Sequence, residues 1–174
     1  AVLDVESHNL DLFFSKPETV RELYARHAAG HGAAVVEGAM GYYDGLGGVT
    51  DTASAWQLAD TLDLPALLVV RPKGASLTLA AELRGLTAFR TPHHIAGILL
   101  NDCTQGLCAL LKPMLEKETG LPVVVALNMA DLVEKNGDKI DTDKLSKKLG
   151  CPVMMISALK NKGIKELFEQ VKKS

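Results

Sequence analysis

Apolar positions along this chain gather into short unbroken runs separated by segments of helical length. Runs 33–37, 66–70, 95–101, 123–127 and 153–156 read as strands, and 1–5 is a sixth, shorter candidate. Continuous apolar character at strand length is what a strand buried on both faces requires. Ser15-Lys16-Pro17-Glu18 has the form of a capping box with proline in the first turn, which predicts a helix to about Ala29. Further helices are predicted over 51–62, 76–89, 104–119, 141–149 and 163–172, the third of these bent or restarted at Pro113 and the fourth stopped by Gly150. Alternation of this kind predicts parallel βαβ units. The expected class is therefore α/β, a three-layer α/β/α sandwich around a mainly parallel sheet of five or six strands.

Length changes this picture little: 174 residues suit one domain, 1–174, burying roughly 70% of the surface the unfolded chain exposes. Hydrophobic residues make up 47% and charged ones 23%, with a net charge of −2, so nucleic acid and anionic membranes are not expected as partners. The apolar runs fall short of the roughly 20 residues a membrane helix needs, and the first residues lack the layout of a secretion signal. Cys103, Cys108 and Cys151 form no C-x-x-C pair. They suit buried thiols in a reducing, cytoplasmic compartment, ahead of a metal site with His93 or His94. No metal site is expected.

Charge is distributed unevenly. Residues 1–123 hold nine Lys+Arg against fourteen Asp+Glu, whereas 124–174 hold ten against seven and no arginine. The change falls inside the apolar run 121–127, so both segments are expected to share one sheet.

Two groups of residues carry candidate chemistry. Glu37-Gly38-Ala39-Met40-Gly41-Tyr42-Tyr43-Asp44-Gly45 follows the first predicted strand. It resembles the E-G-x-M-G-x-x-D-G signature of the cobyrinic acid a,c-diamide synthases, P-loop amidotransferases of cobalamin synthesis. The likeness extends over about residues 7–123 and includes Ser7-His8-Asn9-Leu10-Asp11 and Ala96-Gly97-Ile98-Leu99-Leu100-Asn101. It implies ATP-dependent activation of a carboxylate with Mg²⁺, Glu37 and Asp44 near metal and substrate, and Asn101 at the adenine edge.

Asn128-Met129-Ala130-Asp131 and Ser157-Ala158-Leu159-Lys160 each follow a strand-like run. Residues 124–174 resemble the second half of the GTPase domain of the ferrous-iron transporter FeoB. By that resemblance Asn128 and Asp131 read guanine, and Ser157 and Ala158 close the base pocket. Both resemblances point to a P-loop NTPase or Rossmann-like architecture.

No stretch of the sequence reads G-x-x-x-x-G-K-[ST]. Base contacts of about 1.5–3 kcal/mol each fall short of the roughly 8 kcal/mol that micromolar binding needs. The expectation from sequence is thus an engineered or recombined splice without native catalytic activity, not an enzyme. Glu37 and Asp44 then read as vestigial, no cofactor is required, and GDP, GTP or ATP with Mg²⁺ binds weakly at most. A guanine-nucleotide-binding module and an amidotransferase fragment are the alternatives. No partner is evident, apart from a homodimer through an exposed strand edge or a domain swap. Trp56 is expected as a packing anchor, Tyr42 and Tyr43 as cleft or loop residues, and His93-His94 as a solvated turn.

Overall fold

A computed structural model describes residues 7–127, 130–137, 139–150, 153–157, 162–163 and 166. Its described residues form two compact units. One comprises 7–66 with Pro92–His94; the other comprises Leu67–Thr91 and the residues from Ile95 onward.

The second unit is built on a parallel sheet. Strands β1 (Ala66–Val70), β2 (Ile95–Leu100), β3 (Val123–Leu127) and β4 (Val153–Met155) lie side by side in sequence order. Ile98, Leu99 and Leu100 pair with Val123, Val124 and Val125, and Val125, Ala126 and Leu127 pair with Val153, Met154 and Met155. Parallel neighbours need a crossover, and helices α3 (Leu77–Phe89), α4 (Gln105–Thr119), α5 (Ala130–Lys135) and α6 (Thr142–Leu149) supply it.

Helices α3, α4 and α6 pack together and share one core with the strands. Leu83, Ile98, Leu100, Leu111, Leu115 and Val125 are almost wholly buried there. Cys108 is buried in the same core, as its sequence context suggested. Period-2 geometry sends Leu68 and Val70 into this core and leaves Leu67 and Val69 on the other face, exposed.

Local chemistry sets the helix ends. Thr104 caps α4 by accepting from the Leu107 amide at 3.4 Å, and Asp141 caps α6 through the Lys144 amide at 2.9 Å. That amide bond, reinforced by the Lys144 side chain, holds the Asp141 carboxyl below its ordinary range. Helix α4 runs through Pro113 as one element, so the expected restart does not occur; packing of its buried face outweighs the lost hydrogen bond. Inside α4, Lys112 is buried and pairs with Glu116 at 2.5 Å, while Glu116 also accepts from the Val123 amide at 3.1 Å. This ties the helix to the start of β3.

The first unit holds α1 (Pro17–Ala28) and α2 (Ala55–Leu62). Lys16, not Ser15, stands at the α1 N-cap, and no side chain caps it; Pro17 begins the helix and moves the boundary past the expected box. Helix α2 starts at the Ser54 cap, whose hydroxyl accepts from Gln57 at 3.2 Å. It does not start at 51, because Ala53 takes a left-handed φ of 62°.

Two corrections concern the strands. Residues 33–37 form no strand: they are exposed and carry no ladder. A β-branched run becomes a strand only against a partner, and the described sheet begins at Ala66. The described residues thus contain a four-stranded sheet where five or six strands were expected. Residues 1–5 lie outside the described residues, as does most of 163–172. Among the described residues no helix is long and apolar enough to cross a membrane.

Deleting the Leu111 side chain tests the α4 core. Leu111→Ala should destabilise the sheet unit by about 3 kcal/mol in denaturant unfolding; a loss below about 1 kcal/mol would contradict the packing described.

Candidate functional site

Glu37 and Asp44 belong to a segment, 37–45, with no regular secondary structure. Its shape comes from backbone hydrogen bonds. The Asp44 amide donates to Gly41 O at 2.9 Å, Gly45 N to Thr50 O at 2.8 Å and Leu46 N to Thr52 O at 2.9 Å. One glycine is required by this closure, Gly45, because the atoms a Cβ there would meet are backbone. A Cβ on Gly41 would strike the Asp44 carboxylate, and one on Gly45 would strike the carbonyls of Thr50 and Thr52. Both acidic residues are exposed. Among the described residues, neither carboxylate has a hydrogen-bond or ion-pair partner.

Aromatic side chains anchor this segment within its unit. The Trp56 amide donates to Tyr42 O at 2.9 Å and the Tyr42 hydroxyl donates to His93 O at 2.8 Å. Trp56 Nε1 donates to Pro92 O at 3.0 Å. Tyr43 packs edge-on against Tyr42, with ring centroids 4.9 Å apart, and lies 6.0 Å from Trp56. Burial first, then the neighbouring Tyr43 and Asp60, push the Tyr42 phenol up to about 12. His94 is not the solvated side chain expected: its ring is mostly buried and Nε2 lies 2.9 Å from Asp60 Oδ1.

Asn101, Asp131 and Ser157 belong to the sheet unit. They follow β2, β3 and β4 in turn, so the parallel ladder brings them to one edge of the sheet. Asn101 accepts from the Asp102 amide at 3.0 Å through Oδ1, and its own amide donates to Val70 O at 2.9 Å. Asp131 is the second residue of α5. Ser157 is buried and exchanges two backbone hydrogen bonds with Lys162, 3.0 and 3.1 Å. Lys162 also pairs with Glu134 of α5 at 3.5 Å, a contact with no sequence signal. Asn128 and Ala158 lie outside the described residues.

At the C-terminal ends of parallel strands, α/β sheets bind ligands. The cobyrinate a,c-diamide synthase of Clostridium acetobutylicum is 40% identical over 111 residues, 64% of this chain and 25% of that protein. That of Picrophilus torridus is 32% identical over 126 residues, 72% of this chain and 29% of that protein. The chain therefore spans between a quarter and a third of the length of these curated relatives.

The family model for ferrous iron transport protein B matches residues 104–171. Among solved structures, S. thermophilus NFeoB bound to GDP.AlF4- is 33% identical, covering 52% of this chain and 34% of that chain at a TM-score of 0.39. The FeoB G-domain from Methanococcus jannaschii is 28% identical, covering 52% of this chain and 65% of that chain at 0.38. This chain is homologous to cobyrinate a,c-diamide synthases over much of its length and resembles the FeoB family over its last part.

These findings overturn the expectation of an engineered, inactive splice that is not an enzyme. The homologues named above are enzymes of natural organisms, by name. One likeness covers 72% of the chain and the other covers 104–171, so part of the chain answers to both.

Ionisation of Tyr42 supplies a test of the anchor. Its folded value lies above the ordinary phenol value of about 10, so the unfolded chain releases this proton first. The stabilisation is complete below about pH 10 and is lost as pH rises through about 12. Alkaline unfolding should be steeper in the unmodified protein than in Tyr42→Phe; identical pH profiles would contradict the assignment.

Replacing Gly45 tests the closed turn. Gly45→Ala should lower the unfolding midpoint of the unit that contains it, with a cost of about 1–3 kcal/mol from the displaced carbonyls. A variant as stable as the parent would show that the turn is open.

Proposed function

We propose that this chain is the nucleotide-handling part of an ATP-dependent amidotransferase acting on a cobyrinate-type carboxylate. It would form part of a three-layer P-loop-type sandwich. In this reaction class ATP phosphorylates the substrate carboxylate, with release of ADP. Ammonia then attacks the acyl phosphate, forming the C–N bond of an amide as phosphate departs.

The observation that carries this reading is the 37–45 loop. Its Gly45 is sterically required, and it offers two exposed carboxylates that make no other bond among the described residues. Magnesium accepts one or two carboxylates together with substrate phosphates, and Glu37 and Asp44 are exposed groups of that chemistry. When bound, Mg²⁺ would offset phosphate charge and orient the triphosphate. In the sheet unit, taken by itself, Asn101 suits a purine edge: with Oδ1 accepting from the Asp102 amide, its side-chain amide retains donors for acceptor nitrogens.

A second reading, guanine recognition by Asn128, Asp131, Ser157 and Ala158, is favoured by the match at residues 104–171. The carboxylate of an N-x-x-D motif would accept from guanine N1 and N2, a donor pair that adenine lacks.

Isothermal calorimetry with Mg²⁺ and ATP, GTP or GDP separates the two. We expect ATP to bind more tightly than either guanine nucleotide, and Asp44→Asn to weaken Mg·ATP about tenfold by removing one charge-assisted contact. Tighter GDP binding that disappears in Asp131→Asn would replace the first reading with the second.

A further inference from the structure

Irregular backbone holds its side chains in place only through contacts outside itself. Residues 37–45 are largely exposed, and Tyr42 and Tyr43 are among the few that are partly buried. Tyr42 reaches outward twice, accepting from the Trp56 amide through its carbonyl and donating to His93 O through its hydroxyl. The segment that it grips, Pro92–His94, is held again by Trp56 Nε1 at 3.0 Å and by Asp60 at 2.9 Å. Residues 41 and 44 are joined by one turn, so a displacement of Tyr42 carries Asp44 with it.

We propose that Tyr42 is a positioning residue whose hydroxyl, by fastening the 41–45 turn to Pro92–His94, sets the Asp44 carboxylate where a magnesium–nucleotide would meet it. Its purpose rests on the functional reading above, whereas the anchor itself does not. The signature leaves position 42 open, so this role comes from the structure.

Tyr42→Phe keeps the ring and deletes the donor; Tyr42→Leu removes the same hydroxyl and serves as a second variant. Both are made in the full chain. Amide hydrogen exchange at Asp44, Gly45 and Leu46 should accelerate about five- to tenfold, while exchange at Leu83 and Ile98 stays unchanged. Fluorescence of Trp56, the chain's single tryptophan, should shift with it. The Kd for Mg·ATP should rise by a similar factor, with metal-free ATP unaffected. Unchanged exchange at residues 44–46 overturns the anchor. Faster exchange with an unaltered Kd for Mg·ATP overturns the positioning of Asp44. If the unmodified chain does not bind Mg·ATP, the functional reading fails along with the purpose assigned to Tyr42, and the exchange data still decide the anchor.

Discussion

Parallel pairing of residues 98–100 with 123–125, and of 125–127 with 153–155, sets which residues share one edge of the sheet. In a parallel sheet every strand points the same way, so all C-terminal ends open on one edge. Residues that follow the strands converge there even when they lie far apart in sequence. Asn101, Asp131 and Ser157 meet this condition through β2, β3 and β4. Register depends in turn on the apolar core beneath. A slip of one residue would exchange the buried set, Ile98, Leu100, Val123 and Val125, for the opposite face. Glu116 adds a polar lock, since one carboxylate oxygen holds both the buried Lys112 and the first amide of β3.

The acidic segment solves a different problem in its own unit. A loop that presents exposed carboxylates cannot rely on burial for its shape. Close backbone approach does that work here, and it explains the glycine at position 45 in steric terms. Aromatic residues then connect the turn to α2 and to Pro92–His94. Each hydrogen bond contributes only about 1 kcal/mol net; acting together on one short turn, they fix its position.

Much of the sheet was legible in the chain because its strands are uninterrupted apolar runs of the right length. Runs 66–70, 95–101, 123–127 and 153–156 all appear, with ends shifted by at most a residue. The run 33–37 looked the same and forms no strand, since propensity says nothing about whether a neighbour is available. Helix starts were legible where a cap agreed with periodicity, as at Thr104 and Asp141, and misplaced where Ala53 takes a left-handed turn. The 37–45 motif was visible, but the grip of Tyr42 on residue 93 was not. That contact joins positions fifty-one apart, and no local pattern encodes it. The sequence holds no phosphate-loop motif, yet the synthases homologous to it are enzymes by name, so that absence does not argue for an inactive splice.

Paramagnetic broadening tests the central claim most directly, because it locates the metal–nucleotide without depending on turnover. With ATP present, substoichiometric Mn²⁺ should broaden the backbone resonances of Gly41 to Leu46 first, and Asp44→Asn should abolish that effect. Broadening confined to other parts of the chain, or unchanged in Asp44→Asn, would contradict the assignment of this loop.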